Sequence, residues 1–339
     1  MRGLTTVAAG QMQLGELEHP GTPGLGEVLL EVQAVGICGS DYGLFLGKHP
    51  LSQFPRVQGH EFSATIVEFG DGCSQELPVG ALVVVEPLLP CGHCYPCRQG
   101  RYNCCVELRL FGVHVDGGLE SFVVVPEPLL YDARGLDAAV AAFAEPMSIA
   151  LQGLRRAQLV AGENVVVFGA GPVGQAAIIA ACDIGARVAA VDLVDERLER
   201  AVGSGADLVL NSADDVLTRL VDWSDGEGPG VVVDATGAPA ALTTALELVA
   251  ASGRVVMIGI SDREVAVPVA LMTRKEVSLL GSRNSAGIFG DAVGLVRRHQ
   301  PQIRNLITHL IRLEHVSETI ELALTDPRSV EKIVVQMAG

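Results

Sequence analysis

Apolar positions along the chain follow two rhythms. Up to about residue 130 they come in short, partly alternating bursts separated by turn residues. Val28 to Val35, Ala64 to Phe69 and Ala81 to Glu86 each predict a β-strand, and Ser121 to Val125 predicts another after the Gly117-Gly118 turn. The first helical spacing runs from Asp137 to Ala157, around Glu145-Pro146. Beyond Gly162 strand and helix patterns alternate. Asn164–Phe168, Arg187–Asp192, Gly230–Asp234 and Arg254–Ile260 predict strands; Pro172–Ile184, Glu196–Val202 and Ala240–Ala250 predict helices. Such alternation implies a parallel sheet with helices on both faces, so the expected class is α/β. The tail from about Ser285 reads as helices at Phe289–Arg298 and Ser317–Leu324 and a strand at Lys332–Gln336.

One stretch invites a different reading. Val165 to Cys182 is 18 residues without a charge, but Gly169, Gly171, Pro172 and Gly174 near its head suit a buried strand, turn and helix better than a membrane span. Met1 to Pro20 lacks the basic end and apolar run of a secretion signal, and the expected location is cytoplasmic. The 339 residues suffice for two domains, and 49% hydrophobic against 19% charged residues excludes disorder. Lys plus Arg number 24 and Asp plus Glu 40, a formal charge of −16 that disfavours nucleic acid and anionic membrane surfaces as partners.

Gly169-Ala170-Gly171-Pro172-Val173-Gly174 follows a predicted strand and opens a predicted helix. Glycines at these places allow the tight turn, the approach of a pyrophosphate and close helix–strand packing, and the helix N-terminus offers free N–H groups. Asp192 ends the next predicted strand, where an acid accepts the ribose hydroxyls of a dinucleotide. A 2′-phosphate there would meet a like charge, so NAD is expected rather than NADP. Arg197, five residues on, is a candidate to cover the adenine.

Five of the eight cysteines fall between residues 91 and 105. Disulfide frameworks belong mainly to small secreted domains, which points these thiols toward metal. Cys91, Cys94, Cys97 and Cys104 are the expected ligands of a closed, structural zinc, with Cys105 and His93 as spare residues. An iron–sulfur cluster is the rival, but no second cluster motif accompanies it. Cys38, His60, Glu61 and Glu145 offer a second set of one sulfur, one nitrogen and one or two oxygens. Such a set leaves a position for substrate, as catalytic zinc requires.

Taken in order, GICGSD around Cys38, Gly59-His60-Glu61, the cysteine lobe, Ala144-Glu145-Pro146, GAGPVG, Asp192 and Val233-Asp234-Ala235-Thr236-Gly237 resemble the zinc-dependent medium-chain alcohol dehydrogenases, in their polyol (sorbitol-type) and sugar-acid branch. The resemblance implies a GroES-like, β-rich catalytic domain at residues 1–148, with its zinc lobe at about 88–106. It further implies a Rossmann doubly wound sheet at 149–284 and a return to the catalytic domain at 285–339. It implies that Cys38 and His60 hold the catalytic zinc with Glu61 or Glu145, and that Ser40 passes a proton. It places Thr236, Ser282 and Arg283 near the nicotinamide cofactor, and Asp41 behind His60. Many relatives carry a histidine where this chain has Gly43, which leaves water or His49 to carry the proton out. The implied reaction is NAD-linked oxidation of a secondary alcohol of a polyol or sugar acid to a ketone, by a homodimer or homotetramer. A threonine 3-dehydrogenase-like activity is the alternative; a non-catalytic nucleotide-binding protein predicts missing ligands, and none is missing.

Overall fold

The structure, a computed structural model, describes residues 1–337. The chain forms two units, one from Met1–Glu145 together with the residues from Phe289 onward, the other from Pro146–Ile288. The boundaries expected from sequence, after 148 and after 284, lie three residues later and four earlier. The helix Ala144–Arg156 runs through the first division without a break, so the sequence pattern offers no marker there.

In the first unit a seven-stranded sheet runs Leu130–Asp132, Leu82–Val85, Glu61–Phe69, Glu27–Ile37, Lys332–Gln336 and Ile307–Arg312, and Phe122–Pro126 also pairs with Glu27–Ile37. Val28, Leu30, Val32 and Val35 pack with Phe62, Ile66, Val83, Ile333 and Val335 into its core. The alternation of inward apolar residues fixes the register, since a slip by one would turn each of them to the other face. That register matters for chemistry. Gly36 pairs with both Glu61 and Val334, so the strand from the chain's end and the strand that follows His60 flank the same backbone. A side chain at Gly36 would overlap the Glu61 carboxylate and lie 3.1 Å from Lys332 Cε, and glycine is the residue that leaves room for both. A hairpin of Arg2–Ala8 and Gln11–Glu16 pairs with Arg56–Val57 as a second, smaller sheet.

In the second unit six parallel strands run Leu208–Asn211, Arg187–Asp192, Asn164–Phe168, Val231–Asp234, Arg254–Met257 and Ser278–Gly281. This is the doubly wound order, which reverses beside the strand that precedes the glycine loop. The three central strands carry Val165, Val166, Val167, Ala189, Ala190 and Val231, Val232, Val233 fully buried, as a sheet covered on both faces requires.

The predicted helix at Asp137–Ala157 is two helices, Ala138–Ala141 and Ala144–Arg156. The predicted strand Arg254–Ile260 ends at Met257 and lies inside the sheet between two partners. The helix Gly39–Phe45 and the strands Ile307–Arg312 and Ser278–Gly281 add to the pattern. Among the described residues no helix is long and apolar enough to cross a membrane.

Candidate metal centres and cofactor loop

Cys38 stands immediately before the short helix Gly39–Phe45, whose first turn contains Ser40 and Asp41. His60 and Glu61 lie where the chain enters the strand Glu61–Phe69. One ligand atom from each of Cys38, His60 and Glu61 falls within 4.8 Å of the other two. His60 and Glu61 are buried and Cys38 half-buried. Their surroundings explain why the charges are tolerated. Glu61 is paired with Lys332, itself buried, and Lys332 Nζ also donates to the Ile37 carbonyl at 3.0 Å. Burial pulls the Lys332 ammonium down, but Glu61, Cys38 and Glu145 outweigh it and hold it above its usual value. Burial likewise opposes charge on His60, and Asp41, Cys38 and Glu145 together lift its imidazole well above the ordinary range.

Asp41 lies at the hub. Its Oδ2 accepts the Cys38 N–H at 2.8 Å, and its Oδ1 stands 3.8 Å from His60 Nδ1, a buried atom with no hydrogen bond. A carboxylate at Nδ1 leaves Nε2 for a metal. Burial pushes Asp41 up. Glu145, at the start of Ala144–Arg156, is buried and feels His60, Glu61, Lys332 and Asp41; desolvation dominates and pushes it up to about 7. The close group contains Glu61 and does not contain Glu145. The donors suit zinc: sulfur, imidazole and carboxylate, with an orphaned ring nitrogen facing an acid.

The cysteine lobe corrects the expected ligand set. The sulfurs that lie within 4.8 Å of one another belong to Cys91, Cys94, Cys97 and Cys105, not Cys104. Cys104 closes the 3-10 turn Tyr102–Cys104, while Cys105 follows it and is buried beside Leu88 and Leu108. Cys105 Sγ accepts N–H groups from Cys91 at 3.3 Å and Glu107 at 3.4 Å, and Cys94 and Cys97 sulfurs stand 3.4 Å apart. The Val106 N–H is the main influence that draws Cys94 down to about 6, while desolvation pushes Cys97 up to about 12. Four sulfurs this close cannot all carry charge unless a cation joins them, which is the behaviour of a closed zinc site. The sequence reading places Cys104 fourth and leaves Cys105 spare; the 3-10 turn that ends on Cys104 leaves the next sulfur, that of Cys105, with the other three.

The glycine loop joins the strand Asn164–Phe168 to the helix Pro172–Ile184. Gly169 has φ +88°, and a Cβ there would stand 2.7 Å from Thr236 Cγ2; one at Gly174 would collide with the Gly169 carbonyl. Around Gly171 the space is open, with Arg197 Nη1 nearest at 4.0 Å. Val173 lies in the first helical turn beside Pro172. Asp192 Oδ2 accepts the Ala170 N–H at 2.6 Å and Oδ1 the Val194 N–H at 2.9 Å. Each oxygen keeps a lone pair for a ribose hydroxyl. Thr236 is held on Asp234 through both its N–H (2.8 Å) and its hydroxyl (2.6 Å). Ser282 is half-buried and Arg283 exposed, just past the strand Ser278–Gly281. Asp192 ends its strand, and Gly169, Thr236 and Ser282 come just after theirs, all at the carboxyl end at which parallel sheets bind ligands.

Lys332 and Gln58 are the site residues that sequence reasoning missed. Lys332 opens a predicted strand, where a lysine reads as a solvated end; its pairing with Glu61 depends on register across 271 residues.

Comparison with known proteins agrees with these features. Residues 24–134 match the alcohol dehydrogenase GroES-like domain and residues 172–298 match the zinc-binding dehydrogenase family. An uncharacterized zinc-type alcohol dehydrogenase-like protein of Haemophilus influenzae is 36% identical over 91% of this chain and 90% of its own. The L-galactonate-5-dehydrogenase of Escherichia coli is 34% identical over 92% of each. The crystal structure of an Escherichia coli alcohol dehydrogenase (rspB) in complex with NADH superposes with a TM-score of 0.92, at 33% identity and 99% coverage of both chains.

Proposed function

Because the chain belongs to the zinc-type alcohol dehydrogenases, with a GroES-like domain and a zinc-binding dehydrogenase domain, we propose that it oxidises a secondary alcohol of a polyol or sugar acid to a ketone with NAD. The observation that carries this reading is the donor set: Cys38, His60 and the carboxylate Glu61 converge, with a second carboxylate, Glu145, among the same buried charges. A sulfur–nitrogen–oxygen set is the one the polyol branch uses, and the relative that acts on L-galactonate points to the same substrate class.

In this reading Cys38, His60 and Glu61 hold the catalytic zinc, and Cys91, Cys94, Cys97 and Cys105 the structural one. Bound at these places, zinc supplies a Lewis acid for the substrate oxygen and NAD the hydride acceptor. Asp41 fixes the His60 ring. Ser40, half-buried in the first turn after Cys38, takes the hydroxyl proton. Water or His49 carries it outward: His49 Cβ lies 3.5 Å from where a side chain at Gly43 would begin. Asp192 receives the adenosine ribose and repels a 2′-phosphate, which selects NAD; Gly171, Arg197 and Thr236 border the dinucleotide, and Ser282 and Arg283 the nicotinamide end. None of the eight cysteines is in a disulfide, which suits the reducing cytoplasm where this reading places the enzyme, as a homodimer or homotetramer.

The test is NAD and NADP reduction by the purified protein with polyols, aldonic acids, simple alcohols and L-threonine, before and after chelation. Zinc-dependent NAD reduction by a polyol or sugar acid is expected. Turnover confined to L-threonine or simple alcohols would overturn the substrate class.

A further inference from the structure

Gln58 is a primary amide with 1% exposure, set between buried Val57 and Gly59 two residues before His60. A buried amide costs desolvation unless its donors and acceptor are used, and here they are used in one direction. Thr6, also 1% exposed, donates its hydroxyl to Gln58 Oε1 at 2.6 Å. Gln58 Nε2 in turn donates to the Asp41 carbonyl at 3.0 Å and to Asp41 Oδ1 at 3.3 Å. That same Oδ1 is the oxygen that stands 3.8 Å from His60 Nδ1, and the other, Oδ2, holds the Cys38 N–H. Thr6 reaches Gln58 because Arg2–Ala8 pairs with Arg56–Val57, with Thr6 opposite Arg56. Asp41 fixes which end of the amide faces it, since its carbonyl and Oδ1 can only accept and a flipped amide would set an oxygen against both; Oε1 is thereby left to take the Thr6 hydroxyl.

We propose that Gln58, held by Thr6, is a positioning residue for the catalytic metal centre: it locks the Asp41 carboxylate in the orientation that serves Cys38 and His60 together. A carboxylate on a single pivot would turn to satisfy one ligand at the expense of the other. With Oδ2 on the Cys38 backbone and Oδ1 on the Gln58 amide, its plane is set from two sides. The proposal rests on the reading of Cys38, His60 and Glu61 as the catalytic zinc site. It adds that the N-terminal hairpin, through Thr6, reaches that site.

The experiment follows zinc release to a chromogenic chelator from zinc-loaded wild type, Gln58→Leu, Thr6→Val and Thr6→Ser. The four-thiol centre serves as an internal control, and the release phase that His60→Ala lacks identifies the catalytic centre. Removing a direct partner of a metal-bound histidine weakens binding by about 10–100-fold, so one step further out Gln58→Leu is expected to speed release from the catalytic centre about threefold to tenfold. Thr6→Val should move it less, Thr6→Ser not at all, and the four-thiol phase should stay as in wild type. A residue that only fills space would lower the melting temperature and leave both phases alone. If Gln58→Leu fails to fold, the Thr6 pair carries the test: equal release from Thr6→Val and Thr6→Ser overturns the proposal. A wild type that binds a single zinc overturns both the proposal and the reading beneath it, whereas two zincs with unaltered release in the variants overturns the proposal alone.

Discussion

The two metal centres of the first unit are built in opposite ways. The four-thiol centre is local: its ligands span residues 91 to 105, three of them are only half-buried, and backbone N–H groups of the same segment serve its sulfurs. The other centre is assembled from residues 38, 60 and 61, with Lys332 from the far end of the chain behind it, and its charges are buried among one another. A local, closed centre needs only its own loop and metal in order to form. An assembled centre needs the sheet first, because strand register brings Gly36, Glu61 and Lys332 together. The first is fitted to hold a shape, and the second to hold a reactive set of charges whose geometry the whole unit enforces.

Substitution in the local centre should have the largest effect. Structural zinc contributes on the order of 10 kcal/mol to the folding of a small metal loop, so loss of one of four sulfurs is expected to unfold the lobe. Cys105→Ser should lose that zinc and yield much less soluble protein, while Cys104→Ser should keep both zinc and yield, as zinc content and melting temperature would show. Equal damage from the two would return Cys104 to the ligand set.

Next comes the ion pair behind the assembled centre. Lys332→Met leaves Glu61 buried without its partner, a change that costs about 3–5 kcal/mol. The loss should be greatest in chelated protein and smaller in zinc-loaded protein, where the metal supplies the missing positive charge. Thermal melts of both forms would show this, and an equal loss in both would separate Glu61 from the metal.

How far each centre could be read from sequence follows from the same contrast. The cysteine cluster is visible because its ligands are neighbours in the chain, yet even there the choice between Cys104 and Cys105 depends on a 3-10 turn that spacing does not reveal. Cys38, His60 and Glu61 stand out as residue types that metal chemistry needs. Their supports do not: Lys332 looks like a strand end, Gln58 like a polar residue in a loop, and Thr6 like part of an unremarked N-terminus. The glycine loop and the strands around it are legible because each strand is buried on both faces and so reads as a continuous apolar run. The helix Gly39–Phe45 is not, because it holds two glycines and is organised by the Asp41 bond to the Cys38 N–H rather than by apolar spacing.

The smallest effect concerns the tie between the local centre and its sheet. Tyr102, in the cysteine lobe, and Tyr131 both donate to buried Glu86, at 2.8 and 3.1 Å. Burial raises the Glu86 carboxyl above its ordinary 4.5 despite these donors. The folded state therefore binds a proton that the unfolded state has released, and stability falls as pH climbs from about 4.5 through the folded value. Glu86→Gln should remove this slope, with a change within about 1 kcal/mol and a melting-temperature difference from wild type that shifts in the variant's favour as pH rises. An unchanged slope would show that Glu86 does not govern it.

The central claim is a division of labour between two zincs, one for shape and one for chemistry. Zinc content measured together with NAD-linked turnover, in wild type and in His60→Ala, tests it most directly. We expect two zincs per chain in wild type and one in His60→Ala, with the variant folded and turnover reduced by at least about a thousandfold, the loss of several kcal/mol of charge stabilisation. Two zincs retained in His60→Ala, or turnover that survives the loss of one, would contradict it.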